Sequence, residues 1–145
     1  MGEQAEFAVG TTIVADATVV VAVHGEVDPV TAPELEQALA AAAQGARDLI
    51  VDLSGTTFFD SSGIHALMRV GSRATAEGIR LSLVCGPSCV CRVLEIAGVD
   101  ALYEVHSTIG GATRAAESAQ RSPECGPRAS VLLASLRRRL AGESA

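Results

Sequence analysis

The chain has 145 residues, 48% of them hydrophobic and 3% aromatic, so one domain with a core packed by aliphatic side chains is expected. A formal net charge of −6 argues against a duplex-DNA binder, and no apolar run approaches the ~20 residues of a bilayer span. The acidic start Met1-Gly2-Glu3-Gln4-Ala5-Glu6 lacks the basic flank and apolar stretch of a secretory signal, so a cytoplasmic protein is expected, with no membrane and no direct nucleic-acid partner. In that compartment four cysteines read as thiols rather than as a disulfide scaffold.

Phe7-Ala8-Val9 reads as a short edge strand, and Thr18 to Val23 as a β-branched strand ended by Gly25. Thr31-Ala32-Pro33-Glu34 has the pattern of a capping box opening a helix, which Gly45 closes. Asp48 to Leu53 is the next strand. A short polar turn then leads to a helix that begins at two adjacent serines, Ser61 and Ser62, with Ile64, Leu67, Met68 and Gly71 on one face. Gly78 closes that helix, Leu81 to Cys85 forms a strand, and Val90, Val93, Leu94 and Ala97 line a short helix stopped by Gly98. Leu102 to Val105 is the last strand, followed by a helix from Ser107. Strands alternating with helices predict an α/β fold with a largely parallel sheet of four to five strands and an antiparallel hairpin at the N-terminus. Residues 122–129 are rich in turn formers and read as a linker between a domain at 1–121 and a helical extension at 130–145, with Leu132, Leu133, Leu136 and Leu140 on one face.

The tetrad Asp60-Ser61-Ser62-Gly63 is the focus for function. Alone it reads as a good helix start, since Ser is a favoured N-cap residue. A phosphate on such a serine would face free backbone N–H groups and the positive end of the helix dipole, adding about −1.5 to −2 of charge. Asp60 has an alternative reading as a general base or metal ligand, against a plain turn-forming role. Hydrolase chemistry is disfavoured because there is no G-x-S-x-G elbow and no convincing histidine partner: His65 lies one turn beyond Ser61, and His24 and His106 read as strand-end surface residues. The spacing of Cys85, Cys89 and Cys91, with Cys125 farther on, is not that of a zinc knuckle, although a helix start at Cys89 and Cys91 would favour thiolate and so redox modulation.

The tetrad, together with Gly25-Glu26-Val27-Asp28 before the first helix and Pro87 through Gly98, resembles the motifs of the STAS-domain anti-anti-sigma factors, or anti-sigma factor antagonists. The resemblance covers about residues 5 to 120 and departs from the family's pattern at Cys91 and in the turn Pro87-Ser88-Cys89. It implies a mixed sheet with helices mainly on one face, and no catalysis by this chain. Ser61, with Ser62 as a minor acceptor, would be phosphorylated by a partner that is both anti-sigma factor and serine kinase, and a PP2C-type phosphatase would reset it. ATP and magnesium would belong to that partner, leaving this chain without a cofactor or metal. The partner-binding surface would comprise Gly25, Glu26, Asp28, Asp60, Ser61, Ser62, Gly63 and His65. An alternative to this reading is an unphosphorylated ligand- or redox-sensing module reporting through its cysteines. The oligomeric state is left open: the C-terminal leucine face could pair with a second copy in a homodimer, dock back on the domain or stay mobile.

Overall fold

Val19, Val21 and Val23 are buried on one face of a strand and Val20 on the other, so the β-branched run is covered on both sides. The computed structural model describes residues 6–15, 17–86 and 89–121. In chain order these form strands β1 (Ala8–Ala15) and β2 (Thr18–Val27), helix α1 (Ala32–Ala43), strand β3 (Asp48–Phe59), helix α2 (Ser61–Ala76) and strand β4 (Arg80–Val84). Helix α3 (Cys89–Ile96), a 3-10 turn (Val99–Ala101), strand β5 (Glu104–His106) and helix α4 (Ile109–Arg121) follow. The strands make one sheet in the order β1-β2-β3-β4-β5, antiparallel between β1 and β2 and parallel elsewhere. The α/β class, the parallel majority and the N-terminal hairpin agree with the sequence.

The two faces carry unequal cover. On one, Val21 and Val23 of β2, Leu49, Val51 and Leu53 of β3 and Leu83 of β4 pack under Leu35 and Leu39 of α1, Leu67 and Val70 of α2, and Leu94 of α3. On the other, Val20, Ile50 and Val84 meet Ala112 of α4. Period-two alternation in the strands sends neighbouring side chains to opposite faces, and three of the four helices return to the same one. Helix α4 is also tied down by Arg80, whose Nη2 donates to the Ala115 carbonyl at 3.1 Å while its Nε lies 3.1 Å from Oδ1 of the buried Asp48. Among the described residues, no helix is long and apolar enough to cross a membrane.

Several boundaries differ from the sequence reading. The edge strand is Ala8–Ala15 rather than Phe7–Val9, because pairing with β2 carries it from Ala8 opposite His24 to Ala15 opposite Thr18. Strand β2 does not end at Gly25 and β3 does not end at Leu53: they run on together to Val27 and Phe59, so the expected polar turn is strand. Their register slips twice, between Ala22 and His24 and between Gly25 and Glu26, and the buried Thr56 hydroxyl donates to the Val23 carbonyl at 3.1 Å there. The side chain of Thr31 does not close a capping box, because its hydroxyl is already bonded backward to Glu26 and Asp28. The last strand is Glu104–His106, since Val99–Ala101 forms a 3-10 turn and delays it. The linker at 122–129, the extension at 130–145, and Pro87 and Ser88 of the second motif lie outside the described residues.

Candidate functional site

The site forms where β2 and β3 end together and the chain turns into α1 and α2. The backbone N–H of Asp60 donates to the Val27 carbonyl at 3.3 Å, which holds the start of α2 against the loop after β2. Asp60, and not a serine, is the N-cap of α2: its Oδ1 accepts from the backbone N–H of Ser62 at 2.9 Å and of Gly63 at 3.4 Å, and from the Ser62 hydroxyl. Neither serine is the cap, so the plain reading of the tetrad, with serine as the N-cap residue, does not hold. A carboxylate suits the role because it satisfies several orphan donors at once and complements the helix dipole.

Ser61 is left outside this network. It is the first helical residue, it is exposed, and its hydroxyl has no hydrogen bond among the described residues. A phosphate on Ser61 would therefore not find the open nest of N–H groups expected from the sequence, since Ser62 and Gly63 already donate to Asp60. It would stand beside a carboxylate.

The neighbouring loop is built in the same way. Oδ1 of Asp28 accepts from the backbone N–H groups of Val30 and Thr31, each at 3.0 Å. The Thr31 hydroxyl accepts from the N–H of Asp28 at 3.0 Å and donates to the Glu26 carbonyl at 2.9 Å. The hydrogen bond from the Thr31 backbone, assisted by that from Val30, outweighs desolvation and holds the Asp28 carboxyl below its ordinary range. A second anion thus sits on a rigid turn next to the one at Asp60.

Two glycines expected in the partner surface, Gly25 and Gly63, are buried, and each allows a close approach of the backbone. Gly25 has φ +93, and a Cβ there would lie 2.6 Å from the Glu6 carbonyl oxygen. A Cβ on Gly63 would lie 2.8 Å from both the Phe59 ring and Val27, so its absence lets the first turn of α2 press onto the sheet. Ser62 and Glu26 are half-buried, and His65 is exposed one turn above Ser61. The structure thus brings Asp28, Asp60, Ser61 and Ser62 to one end of the sheet, with His65 on the adjoining helix face.

Two side chains near this end were missed by sequence reasoning. Val30 is 84% exposed at the tip of the Asp28 loop and Phe58 is 48% exposed two residues before Asp60. Val30 could have been found as an apolar residue between Pro29 and Thr31 in a turn; Phe58 could not, because its position was read as loop. On the outer helix surface Arg69 grips Glu36 through Nε and Nη2, at 2.9 to 3.1 Å, and that hydrogen bond lowers the Glu36 pKa and raises that of Arg69.

Two of the four cysteines have described side chains, and both belong to the core. Cys85 is 3% exposed in the main core and Cys91 is half-buried against it, while the side chain of Cys89 and all of Cys125 lie outside the described residues. Among the described residues there is no group of three side chains suited to a metal ion. The arrangement leaves the Ser61 hydroxyl exposed at the start of α2, beside the carboxylate that caps the helix.

Comparison with known proteins follows this geometry. The model of the family described as Mlab, STAS domain matches residues 12–104. The anti-sigma-F factor antagonist RsfB of Mycobacterium tuberculosis is 30% identical over 102 residues, which are 68% of this chain and 83% of that protein. The crystal structure of an anti-sigma factor antagonist from Mycobacterium paratuberculosis is similar with a TM-score of 0.67 and 28% identity, over 76% of this chain and 93% of that one. The anti-sigma factor antagonist SpoIIAA in its unphosphorylated form is similar with a TM-score of 0.66, over 77% of this chain and 97% of that one; at 20% identity this likeness speaks for the fold alone.

Proposed function

The chain belongs to the STAS domain family, and on that premise we propose that it is an anti-sigma factor antagonist whose binding is switched off by phosphorylation of Ser61. The observation that carries the switch is the exposed Ser61 hydroxyl, left out of the cap by Asp60 at the first position of α2. The relatives named as anti-sigma factor antagonists carry the partner class. The partner is an anti-sigma factor with serine kinase activity, which supplies nucleotide and magnesium; a PP2C-type phosphatase reverses the modification. Binding frees a sigma factor by competition, and this chain performs no catalysis.

The electrostatics supply a mechanism for release. In the unphosphorylated state the cap carboxylate of Asp60 is balanced by two backbone N–H groups and the Ser62 hydroxyl. Phosphate adds about −1.5 to −2 of charge at the adjacent residue, where those donors are already engaged. Like charge beside Asp60 and Asp28, together with desolvation of a dianion at the interface, opposes docking. The cysteine-reporting alternative has no comparable support, because Cys85 packs as a small core hydrophobe.

The test is intact-mass and site-mapped phosphorylation after incubation with ATP, magnesium and kinase-type anti-sigma factors of the same genome. The expected product carries one phosphate on Ser61. Ser61→Ala should bind the same partner and accept no phosphate, whereas Ser61→Asp should lose binding by at least tenfold, or about 1.4 kcal/mol. Undiminished binding by Ser61→Asp would remove the switch.

A further inference from the structure

The sheet has two edges of unlike character. Strand β5 is three residues long, and its Glu104 and His106 side chains lie 3.1 Å apart, so that edge is short and polar. Strand β1 is eight residues long, Ala-Val-Gly-Thr-Thr-Ile-Val-Ala, with no charge and no proline. It has a single neighbour, β2. Ile13 is 73% exposed and Val14 47% exposed, Gly10 to Thr12 are exposed, and Val9 is half-buried against the main core. Edges are normally protected by shortness, lysine, proline or inward charges; apart from one register shift after Ile13, β1 has none of these devices.

We propose that β1 pairs antiparallel with β1 of a second copy of this chain, joining two sheets into one of ten strands. A second copy is the occupant that the strand itself fits. A two-fold axis normal to the sheet through Thr11 sets Gly10 opposite Thr12 and Val9 opposite Ile13 of the other copy, and directly opposed residues share a face. Ile13, 73% exposed, then covers Val9 and extends the core across the junction. No like charges face one another within the strand, whereas the molecule as a whole carries −6 and repels its own copies elsewhere. Glu6 and Asp16 flank the neutral stretch in the sequence, so salt should strengthen the association. One strand edge buries less than the ~1,600 Å² of a standard interface, so the dimer is a weak one, forming at roughly tens to hundreds of micromolar. This pairing is independent of the proposed switch, since β1 lies at the sheet edge and Ser61 at the ends of β2 and β3.

The test is sedimentation velocity of the full chain alone, from roughly 10 to roughly 500 µM and at low and high salt. The expected result is a reversible shift to dimer mass that salt favours. Thr11→Lys and Ile13→Lys should each weaken it at least tenfold, while Ile96→Lys, on the exposed outside of α3, should leave it unchanged. Circular dichroism checks that each variant is folded. Hydrogen exchange of the unmodified chain gives a readout that needs no variant: amides of β1 should gain protection as concentration rises. A chain that stays monomeric throughout, a dimer indifferent to charge on β1, or β1 amides indifferent to concentration would overturn the proposal.

Discussion

Asp60 takes the cap that its serine neighbours are equally suited to by type, and that choice leaves Ser61 available for modification. The carboxylate accepts from Ser62 and Gly63, so truncation removes bonds that nothing else replaces. Asp60→Ala should cost about 1 kcal/mol in urea denaturation, within the range for N-cap loss, and Asp60→Asn distinctly less. The asparagine variant separates the two roles of this residue: it keeps the cap and removes the charge that opposes a phosphate on Ser61. Phosphorylated Asp60→Asn should therefore retain more partner affinity than the phosphorylated parent, read by titration calorimetry. Gly63→Ala places a Cβ 2.8 Å from Phe59 and Val27, and should destabilise by about 1 to 3 kcal/mol through overpacking at the base of α2. Melting temperature against Asp60→Asn would distinguish this steric effect from a loss of charge.

The elements show where local pattern suffices and where it does not. Helix α2 is legible from Ile64, Leu67, Met68 and Gly71 at helical spacing; Ile64, Leu67 and Gly71 are buried and Met68 is half-buried, as that spacing demands. Leu67→Ala should cost about 2 to 5 kcal/mol, because the side chain is 0% exposed at the centre of the core. Strands β2 and β3 are legible only as far as their apolar runs. Beyond them, Gly25 and Gly55 have little strand preference and are held by the ladder between the two strands, Gly25 opposite Thr56 and Gly55 opposite His24. Helix α4 is polar apart from a few alanines, and part of its attachment comes from Arg80. Arg80→Met should loosen α4 and leave the Asp48 carboxylate, 4% exposed, without this guanidinium. The expected loss is about 1 to 3 kcal/mol, below that of a fully buried pair because Arg80 is 28% exposed, with faster hydrogen exchange in α4 as the local signature.

At the scale of the molecule, pH acts through carboxylates whose pKa falls on folding, two of which lie among the described residues. Asp28 is lowered by hydrogen bonds from Thr31 and Val30, and Glu36 by the guanidinium of Arg69. Groups shifted in this direction add stability that is present above their unfolded values, near 3.8 and 4.5, and is lost as pH falls through the lower folded values. The urea midpoint should therefore be level from pH 7 to about pH 5 and fall below about pH 4, and Asp28→Asn should flatten part of that fall. A midpoint that rose on acidification would contradict the sign.

The sequence by itself determined the class of the fold, the parallel majority of the sheet, the hairpin and the place of Ser61 at a helix start. These follow from apolar periodicity and from residues that stop elements, both of which act within a few positions of the chain. Tertiary structure decided the rest, because it depends on groups brought together from distant positions. Asp60 and the Asp28 loop become neighbours only when β3 pairs with β2, Val30 and Phe58 stand exposed only once the sheet's end is formed, and Gly63 is required only because Val27 and Phe59 lie beneath it. Which side chain capped α2, and hence which hydroxyl stayed outside the cap, was settled by hydrogen-bond geometry that residue types alone leave open.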